Sequence, residues 1–271
     1  MRIAIAQFSA GMNKPANLAR ISDLAARAAD GGAKVVVFPE GAMCDFGAAT
    51  DDLHGEAEPL DGRFVQALSE LATRFGLTVV AGMFESIPGE RLIYNSAVVV
   101  DPAKGLVGTY RKRHLFDAFG EMESERFRRG DEDPLMLEIG GFKTAVVICY
   151  DIRFASFIER AADNGAELLL APAAWVAGPL KEEHLGILTH ARALDNTMYV
   201  AVGAQTGPAY TGRSVIVDPL GATLAALADA EGVAVGEVSR ERLKAARARL
   251  PILAQRRAAL NVGAGTPASR R

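Results

Sequence analysis

The sequence predicts an α/β protein layered as an α-β-β-α sandwich, and three features of its 271 residues carry that expectation. Segments with apolar residues at helical spacing alternate with short apolar runs rich in β-branched residues, the pattern of helices packed on strands. Breaks holding Pro or Gly join several neighbouring strands as hairpins, so mixed rather than wholly parallel sheets are expected. A hydrophobic share of 49% over this length is enough for one large core, and no linker interrupts it.

Taken in order, Met1-Arg-Ile-Ala-Ile-Ala-Gln-Phe8 reads as a first strand, its apolar part being too short for a signal-peptide core. Residues 13–31 set Leu18, Ile21, Leu24, Ala25 and Ala28 at helical spacing, with Pro15 near the start and Gly31-Gly32 at the end. Residues 34–38 form a buried strand that Pro39 breaks, which leaves Glu40 at its carboxyl end. A second helix over 61–75 is closed by Gly76, and a third strand over 77–84 contains Gly82. Residues 92–100 and 105–110 form a hairpin around Asp101-Pro-Ala-Lys-Gly105, with Lys112 just past it. From 111 to 133 the chain is polar and irregular, and a loop that long inside a domain is usually functional.

A further hairpin, 135–139 with 142–148 around Gly140-Gly141, delivers Cys149 to a strand-to-helix turn. Residues 154–164 then read as a helix, 167–171 as a strand stopped by Pro172, 180–196 as a longer helix and 198–204 as a strand. Residues 215–217, 223–227 and 233–238 continue the β pattern. A short Arg-rich helix over 239–250, capped by Ser239, follows, and 264–271 is expected to be a mobile tail.

Composition narrows the function. Thirty basic against 33 acidic residues, a net charge of −3 and no long like-charge block make nucleic acid and anionic membrane poor partners. No apolar run approaches membrane-spanning length. The two cysteines, Cys44 and Cys149, form neither a disulfide framework nor a zinc pattern, which fits a reduced, cytoplasmic protein. There is no Gly-x-Ser-x-Gly elbow, phosphate loop or dinucleotide fingerprint, and His54, His114, His184 and His190 lack the spacing of a helical metal site.

What remains is a set of strand ends carrying Glu40, Lys112 and Cys149. Taken singly, each has an ordinary explanation: a solvated carboxylate, one charge in a basic loop, a small hydrophobe finishing a strand. Taken together they are a base, a cation and a nucleophile, and the turn after Cys149 could stabilise its thiolate. That combination suffices for acyl transfer. His114 is the one histidine placed to act as an alternative base.

The segments Val-Val-Phe-Pro-Glu40, Tyr-Arg-Lys112-Arg-His-Leu-Phe116 and Val-Ile-Cys149-Tyr-Asp-Ile-Arg-Phe154 resemble the three signature blocks of the carbon–nitrogen hydrolase (nitrilase) superfamily. The resemblance runs from Arg2 to about Leu250, making 1–250 the hydrolase domain and 251–271 a C-terminal extension. It implies the superfamily's four-layer sandwich, a catalytic triad on Glu40, Lys112 and Cys149, and a second glutamate on Glu123, with Glu121 and Glu125 nearby. It also implies a thioester mechanism with the oxyanion held by Lys112 and the Tyr150 N–H, and no metal or organic cofactor.

The Cys-Tyr-Asp-Ile-Arg-Phe form most resembles the ω-amidase and deaminated-glutathione amidase branch, whose substrates are small amides bearing a carboxylate. Arg153 is then a carboxylate partner, or else an ion-pair partner of Asp151 or Glu159. Trp175, Phe46 and Phe116 are candidates for the pocket wall. Ala155-Ser156 and Gly212-Arg213-Ser214 depart from the branch's usual residues and leave a simple aliphatic amidase or an N-carbamoyl amino acid hydrolase open. From other classes, an inactive binding relative or a thiol redox protein using Cys44 also stands. The resemblance further implies a homodimer, or a larger homo-oligomer, through 154–164 and 180–196.

Overall fold

Strands form where runs of Val, Ile, Leu and Ala are apolar on both faces, and such strands must be covered on both faces. The structure, a computed structural model, describes residues 1–263 and places these strands in two six-stranded sheets; the tail expected over 264–271 lies outside the described residues. In spatial order the first sheet is β12 (Gly232–Glu237), β1 (Arg2–Gln7), β2 (Val35–Val37), β3 (Thr78–Glu85), β4 (Tyr94–Asp101) and β5 (Gly105–Arg111). The second is β11 (Thr223–Ala226), β10 (Val215–Val217), β9 (Tyr199–Ala204), β8 (Leu168–Ala173), β7 (Phe142–Val146) and β6 (Leu135–Ile139).

The sheets face each other, and period-two alternation sorts the side chains between two cores. Ile3, Ile5, Val35 and Val37 join Val146, Leu170, Ala201 and Ile216 between the sheets. Ala4, Ala6 and Val36, on the opposite face, meet Ile21 and Leu24 of α1 (Lys14–Asp30) and Leu68 of α2 (Arg63–Phe75). Helices α3 (Ala155–Asp163) and α4 (Lys181–Asn196) cover the second sheet through Phe157, Ile158, Leu185 and Ala193. The expected α-β-β-α order is thus present. Asn13 caps α1 by accepting from Ala16 N, and Ser239 caps α5 (Arg240–Arg249) by accepting from Arg242 N. No helix among the described residues is long and apolar enough to cross a membrane.

Two elements differ from the sequence reading. The strand expected to stop at Pro172 runs on to Ala173, with Pro172 paired to Gly203. Leu170 accepts from Val147 on the β7 side, and Pro172, two residues on, faces that side after β7 has ended, so its missing N–H breaks no ladder bond. In the C-terminal extension the chain forms α6 (Ile252–Gly263), where no element was expected. It lies on α4, with Arg256 donating to Asn196 Oδ1 (3.0 Å) and Asp163 Oδ1 (2.9 Å).

Topology brings the candidate residues to one end. Strands β2 and β5 run in the same direction because β4 reverses between β3 and β5, and β7 and β8 are parallel. Glu40, Lys112, Cys149 and Ala174 therefore each follow the carboxyl end of a strand, where open α/β sheets place their ligands. The segment holding Glu40 lies so close over β3 that a Cβ at Gly82 would be 2.5 Å from Glu40 Cα. Gly82→Ala should consequently destabilise the fold by about 1–3 kcal/mol, read as a lower urea midpoint; an unchanged midpoint would contradict this close approach.

Candidate active site

The site is built around one buried cation. Lys112 Nζ donates to Glu40 Oε1 at 2.8 Å and to Glu123 Oε2 at 2.8 Å, and all three residues are at most 6% exposed. Asn95 in β4 donates from Nδ2 to Glu40 Oε1 (2.7 Å) and Glu123 Oε1 (2.8 Å). Backbone N–H groups complete the arrangement: Ala174 donates to Glu40 Oε2 (2.7 Å) and Phe116 to Glu123 Oε2 (2.6 Å). Burial works against the Lys112 charge, but Glu123 and Glu40 outweigh it and hold its pKa well above the usual lysine range. Of the three glutamates on the 121–125 segment, Glu123 is the one bonded to Lys112; Glu121 lines the cavity mouth and Glu125 does not.

Cys149 sits on an elbow with φ +43°, a region that non-glycine residues seldom occupy and that costs about 1–3 kcal/mol. Asp151, fully buried, braces that elbow. Its carboxylate accepts from Ile148 N (3.0 Å), Tyr110 Oη (2.8 Å) and His114 N (3.0 Å), and lies 2.7 Å from His114 Nδ1. These bonds fasten the turn after β7 to the residues flanking Lys112. They also bear on two sequence alternatives. His114 is bonded to Asp151 and stacked on Phe154 at 3.7 Å, outside the cavity lining. Arg153 forms no ion pair with Asp151 or with Glu159, which lies 3.8 Å from Arg256.

One reading of the sequence has a helix N-terminus just past Cys149 stabilising its thiolate. Cys149 begins a five-residue 3-10 turn, and α3 starts only at Ala155. Burial, and then the Glu40 carboxylate beside it, push the Cys149 thiol well above its ordinary range despite the opposing pull of Lys112. The Glu40 carboxylate thus lies beside a thiol whose ionisation burial disfavours. Among the described residues the Tyr150 N–H has no hydrogen-bond acceptor.

A cavity of about 140 Å³ opens over these groups. Tyr150, Arg153, Trp175, Phe116 and Phe46 all line it. Trp175 serves as core and wall at once: it is buried, its Nε1 donates to Lys181 O (2.9 Å), and Arg153 stacks over its ring at 4.7 Å. The Arg153 Nε has no partner, and Nη2 lies 3.4 Å from His184 Nδ1. Sequence reasoning missed Asn95, Lys181, Arg126 and Tyr210, and took His184 as an ordinary helix residue. A polar Asn-Ser pair inside an otherwise apolar strand was the available signal for Asn95. Cys44 does not line the cavity; its Sγ lies 3.8 Å from Met12 Sδ, and burial raises its pKa to about 11. Both features disfavour a resolving role for Cys44.

The raised thiol has a consequence for stability. As pH rises past the ordinary cysteine value of 9.0, the unfolded thiol ionises while the folded one keeps its proton. The stability due to this site is therefore complete below that pH and is lost above it. Urea unfolding from pH 8 to 10.5 should show stability falling, and Cys149→Ala should flatten the fall; equal slopes would contradict the buried-thiol assignment.

Comparison with known proteins agrees with this geometry. The carbon-nitrogen hydrolase family matches residues 2–248. A deaminated glutathione amidase of Escherichia coli is 36% identical, the match covering 95% of this chain and 97% of the relative. An omega-amidase of Danio rerio is 34% identical over 94% of each chain. Among solved structures, a Glu-to-Gln mutant of the amidase from Nesterenkonia sp. AN1 superimposes with a TM-score of 0.79 at 28% identity, covering 93% of this chain and 98% of that one. It shows the result of Michael addition of acrylamide at the active-site cysteine. The chain is a member of the carbon–nitrogen hydrolase family.

Proposed function

We propose that the protein is a cysteine-dependent amidase that cleaves a small linear amide bearing a carboxylate into the acid and ammonia. The observation that carries this reading is the convergence of the buried Glu40–Lys112–Glu123 cluster on the Cys149 elbow at the floor of a cavity. Cys149 Sγ attacks the amide carbonyl as Glu40 takes the thiol proton. Lys112 and the Tyr150 N–H receive the oxyanion, and Glu123 holds Lys112 in place. When the tetrahedral species collapses, the C–N bond breaks and Glu40 passes the proton to the departing ammonia. Water, deprotonated by Glu40, then attacks the thioester, and the acid leaves as the thiol regains its proton.

The carboxylate preference rests on Arg153, a cation facing the cavity whose Nε has no partner. A cavity of about 140 Å³ matches the volume that encloses a benzene-sized group, so it suits a short acyl chain. Both named amidase relatives fit this class. A working thiol also suits a reducing compartment such as the cytoplasm. A dimer through α3 and α4 belongs to the same reading, since Ile187 on α4 is 64% exposed and Leu194 is exposed beside the turn that ends that helix.

Ammonia release should be measured from glutaramate, α-ketoglutaramate, deaminated glutathione, a plain aliphatic amide, an N-carbamoyl amino acid and a nitrile. The dicarboxylate monoamides are expected to turn over, Cys149→Ala to be inactive and Glu40→Gln to lose about 10²–10⁴-fold. Arg153→Ala should lower kcat/KM for glutaramate by roughly 10- to 150-fold, the worth of one charged hydrogen bond. Turnover of the plain amide alone would remove the role of Arg153, and activity in Cys149→Ala would remove the mechanism. Sedimentation at micromolar concentration should give a dimer or larger; a monomer would contradict the α3–α4 interface.

A further inference from the structure

Four cations line the cavity, and two of them are already engaged. Lys112 is shared by two glutamates, and Arg126 donates to the carbonyl oxygens of Phe46 (2.8 Å) and Ala48 (3.2 Å). Arg153 and Lys181 remain, and no carboxylate among the described residues is bonded to either. Lys181 is the less expected of the two. It is 4% exposed and opens α4, where the positive end of the helix dipole disfavours a cation. The preceding residue, Leu180, is held at φ +59° and supplies no side-chain cap.

Among the described residues no carboxylate is bonded to Lys181, and the groups its ammonium does touch are aromatic faces. Its Nζ lies 3.6 Å from the ring centroid of Phe119 and 4.9 Å from that of Phe116. Trp175 joins the two cations, with Arg153 over its ring and its N–H on the Lys181 carbonyl. We propose that Lys181 is a specificity-determining residue whose ammonium, together with the Arg153 guanidinium, receives the distal carboxylate of the acyl group. This rests on the reading of the site as an amidase for carboxylate-bearing amides. One carboxylate has two oxygens, enough for a guanidinium on one and an ammonium on the other. Burial and the neighbouring Arg153 lower the Lys181 pKa, as expected of a cation that awaits an anion.

The test compares glutaramate with pentanamide, an uncharged amide of equal chain length, in wild type, Lys181→Met and Lys181→Arg. Met keeps most of the apolar stem against Phe119 and removes the charge. Wild type should prefer glutaramate. Lys181→Met should lower the glutaramate-to-pentanamide ratio of kcat/KM by at least about tenfold, mainly through KM, and Lys181→Arg should recover part of it. Glutarate, the product, should inhibit the Met variant correspondingly less. If Lys181→Met does not fold, Lys181→Gln takes its place. Proportional loss on both amides, or an unchanged ratio with unchanged glutarate inhibition, overturns the proposal while leaving the carboxylate reading intact. A wild type with no preference for glutaramate overturns both.

Discussion

Burial of two carboxylates around a single ammonium is the constraint on which the rest of this structure depends. Removing one partner from a buried ion pair costs about 3–5 kcal/mol, because the other charge is left without water or counter-ion. Here Glu40, Lys112 and Glu123 leave one net negative charge, which Asn95 Nδ2 and the N–H groups of Ala174 and Phe116 absorb. The orientation of the Asn95 amide follows from the same balance. Turning it over would aim its oxygen at two carboxylates, so the nitrogen faces them and Oδ1 is left without a partner. Such a cluster is intelligible if its charge is needed at the neighbouring thiol.

The fold answers that need by placing the cluster where two sheets meet. Glu40, Lys112 and Asn95 come from the first sheet, while Ala174 and Cys149 come from the second. The sheets can approach because a glycine stands where a side chain would collide: a Cβ at Gly203 of β9 would be 2.3 Å from Val37 O of β2. Asp151 then ties the strained Cys149 turn across the interface to Tyr110 and His114, on either side of Lys112. Core packing, polar satisfaction and the reacting groups thus lie in one connected region. Substitutions there will affect stability and activity together.

Much of this was legible in the sequence because strand ends are marked by strong local signals. A β-branched run followed by Pro-Glu, or by Cys before a polar turn, fixes position along the chain and, through parallel topology, position in space. The family resemblance added Glu123 as a second glutamate, which no local pattern singles out from Glu121 and Glu125. Side chains that enter the site from the middle or flank of an element were harder. Asn95 sits in an apolar strand, and Lys181 reads as an ordinary charged residue at the start of an amphipathic helix. Its misfit with the helix dipole could have been noticed, but its burial depends on Phe116, Phe119 and Trp175 meeting in three dimensions. Pro172 misled for a related reason, since its tolerance depends on where the adjacent strand ends.

The most direct measurement of the central claim is mass spectrometry of the enzyme acid-quenched during turnover of glutaramate, in wild type and Glu40→Gln. The account predicts an adduct equal to the substrate less ammonia, mapped to the peptide containing Cys149. Ammonia release with no adduct at Cys149 in either protein, and undiminished in Cys149→Ala, would contradict it.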